Sequence, residues 1–75
     1  MKMKDFREVR NMSFAKRGMR VEHTYNGKKG RIAGANASAN LNIIFDGENF
    51  SVNCHPHFMM RYYDKKGQLL KEYGR

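Results

Sequence analysis

Apolar and polar positions alternate with a period of two along most of this chain. Val21 and His23 alternate with Arg20 and Glu22, Leu41, Ile43 and Phe45 with Asn42 and Ile44, and Phe50, Val52 and Cys54 with Ser51 and Asn53. Period two is the mark of a strand with one face buried. The first run predicts a strand near Met19–Thr24 and a second near Arg31–Ala35, joined by the basic loop Asn26-Gly27-Lys28-Lys29-Gly30. Asn-Gly favours positive φ, and Gly30 offers a second position without a Cβ penalty, so the pair reads as a hairpin. Gly34–Asn40 is small, polar and poor in β formers, which predicts a mobile hairpin tip. The third strand points Leu41, Ile43 and Phe45 inward, and Asp46-Gly47-Glu48-Asn49 is a turn. The fourth strand places Phe50, Val52 and Cys54 on one face. His55-Pro56-His57 breaks the alternation, because proline removes a donor, and a one-turn 3₁₀ connector is expected there. Phe58–Tyr63 restarts the pattern as a fifth strand, Asp64-Lys65-Lys66-Gly67 is a turn, and Gln68–Tyr73 reads as a sixth strand or a short terminal helix.

The start of the chain follows a different period. Met3, Phe6, Val9 and Met12 form an i, i+3 ladder, which fits one side of a short helix with Lys2, Lys4, Arg7 and Arg10 elsewhere around it. Such a helix is too short to stand alone. It either packs through Phe6 and Val9 or remains a mobile basic arm. The expected fold is therefore mostly β, a small five- or six-stranded barrel with a short N-terminal helix or basic arm. Residues 1–17 form the arm, 18–64 the barrel and 65–75 a C-terminal hairpin strand or tail.

Composition sharpens this picture. The 75 residues support one small core. The single cysteine, Cys54, forms no internal disulfide, so a reducing, cytoplasmic setting is expected. The N-terminus is basic with no apolar run behind it, unlike a secretory signal. No apolar cluster approaches the roughly 20 residues that span a bilayer, and the apolar stripe of residues 1–17 is narrow for a membrane-surface helix. No membrane partner is expected. The net charge of +8 predicts an anionic partner, namely nucleic acid, a nucleoprotein complex or an acidic protein surface. That charge is unevenly spread. Residues 1–17 carry +4, residues 18–64 carry +1 and residues 65–75 carry +3. Any anion-binding surface must therefore include the ends of the chain.

Gly18-Met19-Arg20-Val21, Gly27-Lys28-Lys29-Gly30-Arg31-Ile32 and Leu41-Asn42-Ile43-Ile44-Phe45-Asp46-Gly47 follow one another as an apolar strand, a loop ending in Gly-x-x-Gly and a second apolar strand. Over about residues 18–63 this order resembles an SH3-like barrel of the KOW type, found in ribosomal proteins and transcription elongation factors. The break at His55–His57 suits the same resemblance. It implies a non-enzymatic domain that binds RNA or another protein through its first-loop region, here Tyr25, Lys28, Lys29 and Arg31. Two features depart from the pattern: the barrel is nearly neutral, and the Gly34–Asn40 insert is bland. Plasmid-type dihydrofolate reductases are also short SH3-like barrels, but their Val-Gln-Ile-Tyr strand has no counterpart, the nearest segment being Phe50-Ser51-Val52-Asn53.

The residues themselves nominate a nucleic-acid-binding set: Lys16, Arg17, Arg20, Tyr25, Lys28, Lys29, Arg31, Arg61, Lys65 and Lys66. Lysine and arginine beside glycine-exposed amides suit phosphate. An exposed tyrosine suits base stacking. Of the adjacent pair Tyr62 and Tyr63, one is expected to face in and the other out. Cys54, His55 and His57, with His23, are residue types of a zinc site, but their spacing across a proline matches no finger pattern and there is no second cysteine pair. Cys54 is expected as a buried small apolar residue. No carboxylate pair accompanies the histidines, so neither a cofactor nor a hydrolytic centre is expected. The competing expectation is a protein-interaction module, such as a small inhibitor or adaptor of phage or mobile-element origin, built on an unpaired sheet edge.

Overall fold

The computed structural model describes residues 1–75. Its alternating segments become six strands: β1 (Arg20–His23), β2 (Lys28–Ala35), β3 (Leu41–Phe45), β4 (Ser51–Cys54), β5 (Met60–Tyr63) and β6 (Leu69–Tyr73). One helix, α1 (Met3–Arg10), precedes them. All pairings are antiparallel, in the order β4-β3-β2-β1-β5-β6. A flat sheet of six strands would be about 24 Å across and only about 10 Å thick. The molecule measures 27 × 25 × 25 Å, so the sheet is coiled around a single core in a barrel-like form. The fold is mostly β, with one short N-terminal helix.

The core follows the alternation. Val21, Ile32, Leu41, Ile43, Phe45, Met60 and Tyr62 are buried on the inner face, joined by Phe6, Met12, Ala15, Met19 and Cys54. Tyr62 is fully buried, and its hydroxyl donates to the Pro56 carbonyl at 2.6 Å, which ties the β4–β5 connection to the core. Gly47 and Gly67 take φ of +84° and +81° in the turns after β3 and β5, where L residues are strained.

Several expectations are corrected. β2 begins at Lys28, so the basic Gly27–Arg31 segment is not a loop. Only Thr24–Gly27 turns, and Lys28 and Lys29 pair with His23 and Glu22. Gly30 is required for a different reason from positive φ. A Cβ there would lie 2.5 Å from the Ile44 carbonyl oxygen and 2.9 Å from Phe45 Cα. β3 crosses too closely for any side chain. β4 buries only Cys54, whereas Phe50 and Val52 remain 56% and 36% exposed. Val52 stands beside buried Ile43 in the register, but β4 is an edge strand and nothing covers its outer half. His55–Phe58 is the single-turn connector expected there, closed by the Phe58 N–H on the His55 carbonyl at 3.3 Å. Phe58 precedes β5 and is partly exposed. Gln68–Tyr73 supplies a strand, not a helix.

At the N-terminus, α1 packs through Phe6, not Val9. Asn11 caps the helix in the left-handed region (φ 54°), and the Met12 N–H returns to the Arg7 carbonyl at 3.0 Å. Val9, one residue before the helix ends, stays exposed, and beyond the Asn11 cap Met12 enters the core. The Gly34–Asn40 hairpin tip is bound down, not loose. Arg10 donates to the Ala39 carbonyl (2.7 Å), the Ser38 carbonyl (3.3 Å) and Asn40 Oδ1 (3.2 Å). Asn36 Oδ1 accepts from the Ser38 and Asn40 amides, while its Nδ2 donates to Asn42 and Asn53.

Candidate functional site

The register between β1 and β5 decides where the charge gathers. Arg20 lies opposite Tyr63. The strands are antiparallel, so the residues before Arg20 run beside those after Tyr63. The N-terminal linker and the β5–β6 turn, far apart in sequence, become the two walls of one cleft of about 810 Å³. Phe14, Lys16, Arg17, Gly18, Met19 and Arg20 line one wall. Tyr63, Asp64, Lys65, Lys66, Gly67, Gln68 and Leu70 line the other.

Both walls are held by backbone. The Gly18 N–H donates to the Ile32 carbonyl at 2.8 Å, and the Met19 N–H closes a turn onto the Lys16 carbonyl at 3.1 Å. Gly18 sits at φ +87°, a conformation that lets the chain swing from the linker into β1. On the opposite wall Asp64 Oδ1 accepts from the Lys66 and Gln68 amides at 2.9 and 2.8 Å. The Asp64 carboxylate is thereby engaged in shaping the turn. Lys16, Arg17, Lys65 and Lys66 are exposed, and none of them forms an ion pair. The Arg17 guanidinium lies over the Gly34 backbone, where a Cβ would stand 3.6 Å from it.

Arg20 reaches the cleft already paired. Its two terminal nitrogens donate to both oxygens of Asp46 at 2.9 and 2.7 Å. The Arg20 hydrogen bonds hold the Asp46 carboxyl below the usual carboxylate range, and the charges of Arg31 and Lys29 add to the effect. Lys28 and Lys29 line a separate, smaller depression with Asp46 and Glu48. Arg61 stands between Glu72 (3.2 Å) and Glu22 (3.7 Å), and Glu22 also accepts from the Tyr63 hydroxyl at 3.0 Å. The outer sheet face thus alternates in sign.

Of the ten residues nominated from sequence, the cleft brings together Lys16, Arg17, Arg20, Lys65 and Lys66. It does not include Tyr25, Lys28, Lys29, Arg31 or Arg61. Asp46, bound to Arg20, lines the depression of Lys28 and Lys29, whereas Arg31 stands directly opposite Arg20 in the β1–β2 register. Tyr25 is 72% exposed at the β1–β2 turn, edge-on to His23 at 6.4 Å. As expected for the tyrosine pair, Tyr62 faces in and Tyr63 out. Cys54 is buried, and burial pushes its thiol pKa up. His57 stacks on Tyr73 at 4.5 Å, and His55 Nδ1 accepts the His57 N–H at 3.1 Å. Phe14, Met19, Gln68 and Leu70 are the cleft residues that composition did not single out. No local signal marks them, because their association depends on the β1–β5 pairing.

No helix is long and apolar enough to cross a membrane. No protein-family model, curated protein or solved structure matches this chain.

Proposed function

We propose that this protein is a non-enzymatic nucleic-acid-binding domain of the SH3-like kind, which grips the sugar-phosphate backbone of RNA or DNA in the cleft between the Lys16–Arg20 linker and the β5–β6 turn. One observation carries the reading. Lys16, Arg17, Lys65 and Lys66 converge on one cleft without an ion-pair partner, beside a single carboxylate already hydrogen-bonded to backbone. Unpaired cations held at close quarters raise the local potential and release counterions when phosphate arrives. The antiparallel order that returns β5 beside β1 supports the barrel assignment. A cytoplasmic setting accords with the lone buried thiol.

Fluorescence anisotropy against a labelled oligonucleotide tests the reading. Four phosphate contacts give a log-affinity against log-salt slope of about −3 on a single strand. The double reversal Lys65→Glu, Lys66→Glu should flatten that slope and weaken binding at least tenfold. Lys28→Ala, outside the cleft, should leave both nearly unchanged. Binding that ignores salt, or survives the double reversal, would refute the assignment.

A second reading rests on the β4 edge, where Phe50 and Val52 are exposed beside unpaired backbone with no charged residue in the strand. It treats the domain as a protein-interaction module. A partner retained after nuclease digestion and lost on Val52→Lys would favour it.

A further inference from the structure

The cleft is more than a row of cations. Beside its cations the cleft is lined by Phe14, Met19 and Leu70, and by Tyr63. Leu70 is 47% exposed. Phe14 is half-buried and set edge-on against Tyr62 at 5.5 Å, which fixes its ring. The Gln68 side-chain amide, also on the wall, makes no hydrogen bond within the protein, although its backbone N–H is used. A surface that only tracked phosphates would need neither a concavity nor an apolar floor. A duplex gives such a floor nothing to bury, since its base faces are already stacked on one another. An unpaired nucleotide supplies both parts: an anionic phosphate and a planar, largely apolar base with polar edges. The volume of about 810 Å³ falls within the range of small-ligand sites.

We infer that the cleft receives an unpaired nucleotide, with the base laid on Phe14 and Leu70, the Gln68 amide facing its polar edge, and the flanking phosphates on Lys16, Arg17, Lys65 and Lys66. The inference rests on the nucleic-acid reading above and adds the ligand's class: single-stranded, base-bearing nucleic acid. Base stacking on such a platform tolerates any sequence, because every base has a π-face.

The experiment compares three labelled probes at one salt concentration with the full chain: a single strand of about twelve nucleotides, the same sequence as a duplex, and an abasic strand with the same number of phosphates. The base-bearing single strand should bind about tenfold or more tightly than either of the others. Leu70→Ser, at a half-exposed position, should narrow the gap between base-bearing and abasic strands. Phe14→Leu should do the same, with its folding checked by thermal melting. Equal affinity for the base-bearing and abasic strands, or for strand and duplex, overturns the single-strand inference and leaves phosphate binding in the cleft standing. Failure of all three probes to bind overturns both readings.

Discussion

Gly30 and Tyr62 sit where one atom decides the local geometry. At Gly30 the obstacle to a side chain is backbone, the Ile44 carbonyl and Phe45 Cα, and backbone within a paired sheet does not yield cheaply. Gly30→Ala is therefore expected to destabilise the fold by about 1–3 kcal/mol, read as a lower midpoint in chemical denaturation with little change in slope. Tyr62 carries the donor that satisfies the buried Pro56 carbonyl. Tyr62→Phe keeps the ring and orphans that oxygen, at a cost of about 1–3 kcal/mol. Burial also raises the Tyr62 pKa well above the ordinary tyrosine value, with Tyr73 and Cys54 adding to it. The sign of the linkage is set by that rise. Above about pH 10 the unfolded phenol releases its proton while the folded one keeps it, so stability falls as pH rises. Urea titrations at increasing alkaline pH should show the parent losing more stability than Tyr62→Phe.

Among the elements, α1 and the β2–β3 hairpin depend on one another. Arg10, in the last turn of the helix, makes three hydrogen bonds to residues 38–40, and Phe6 joins Ile32 and Leu41 in the core. Arg10→Ala should cost about 1–2 kcal/mol and speed hydrogen exchange at the Ala39 and Asn40 amides about tenfold, leaving β1 and β5 amides protected. Amide-resolved exchange would measure it. The same elements show what alternation can and cannot convey. Leu41, Ile43 and Phe45 were legible as inward-facing, because the period of a strand assigns its faces. Phe50 and Val52 were not legible as exposed, because a period says nothing about whether a neighbour covers the face. Val9 fails in the same way: its spacing fits the helical stripe, but no neighbouring element covers it. The polar composition of the hairpin tip suggests solvent, whereas Asn36 and Arg10 use those same polar groups as internal ties.

At the scale of the whole molecule, the uneven charge of the chain finds its meaning. The excess at residues 1–17 and 65–75 was visible from composition, and the cleft is built from both. Its location was not, since the meeting of linker and turn follows from Arg20 facing Tyr63, a contact with no local signature. The Gly27–Arg31 segment is dense in lysine and glycine, but in the sheet Lys28 and Lys29 share a depression with Asp46 and Glu48, and Lys29 stands opposite Glu22. A ligand that occupies the cleft binds the folded chain and not the unfolded one. At a hundredfold excess over its dissociation constant it should add about 2.7 kcal/mol of stability. Differential scanning fluorimetry should show the melting temperature climbing with oligonucleotide concentration for the parent and not for Lys65→Glu, Lys66→Glu.

The antiparallel seam between β1 and β5 has a temporal corollary. During synthesis the early lysines and arginines emerge first and hold no jaw to close, because the opposing wall is still to be made. The cleft exists only once the last third of the polypeptide has docked, so a chain halted before β5 carries the linker's cations on one wall with nothing facing them.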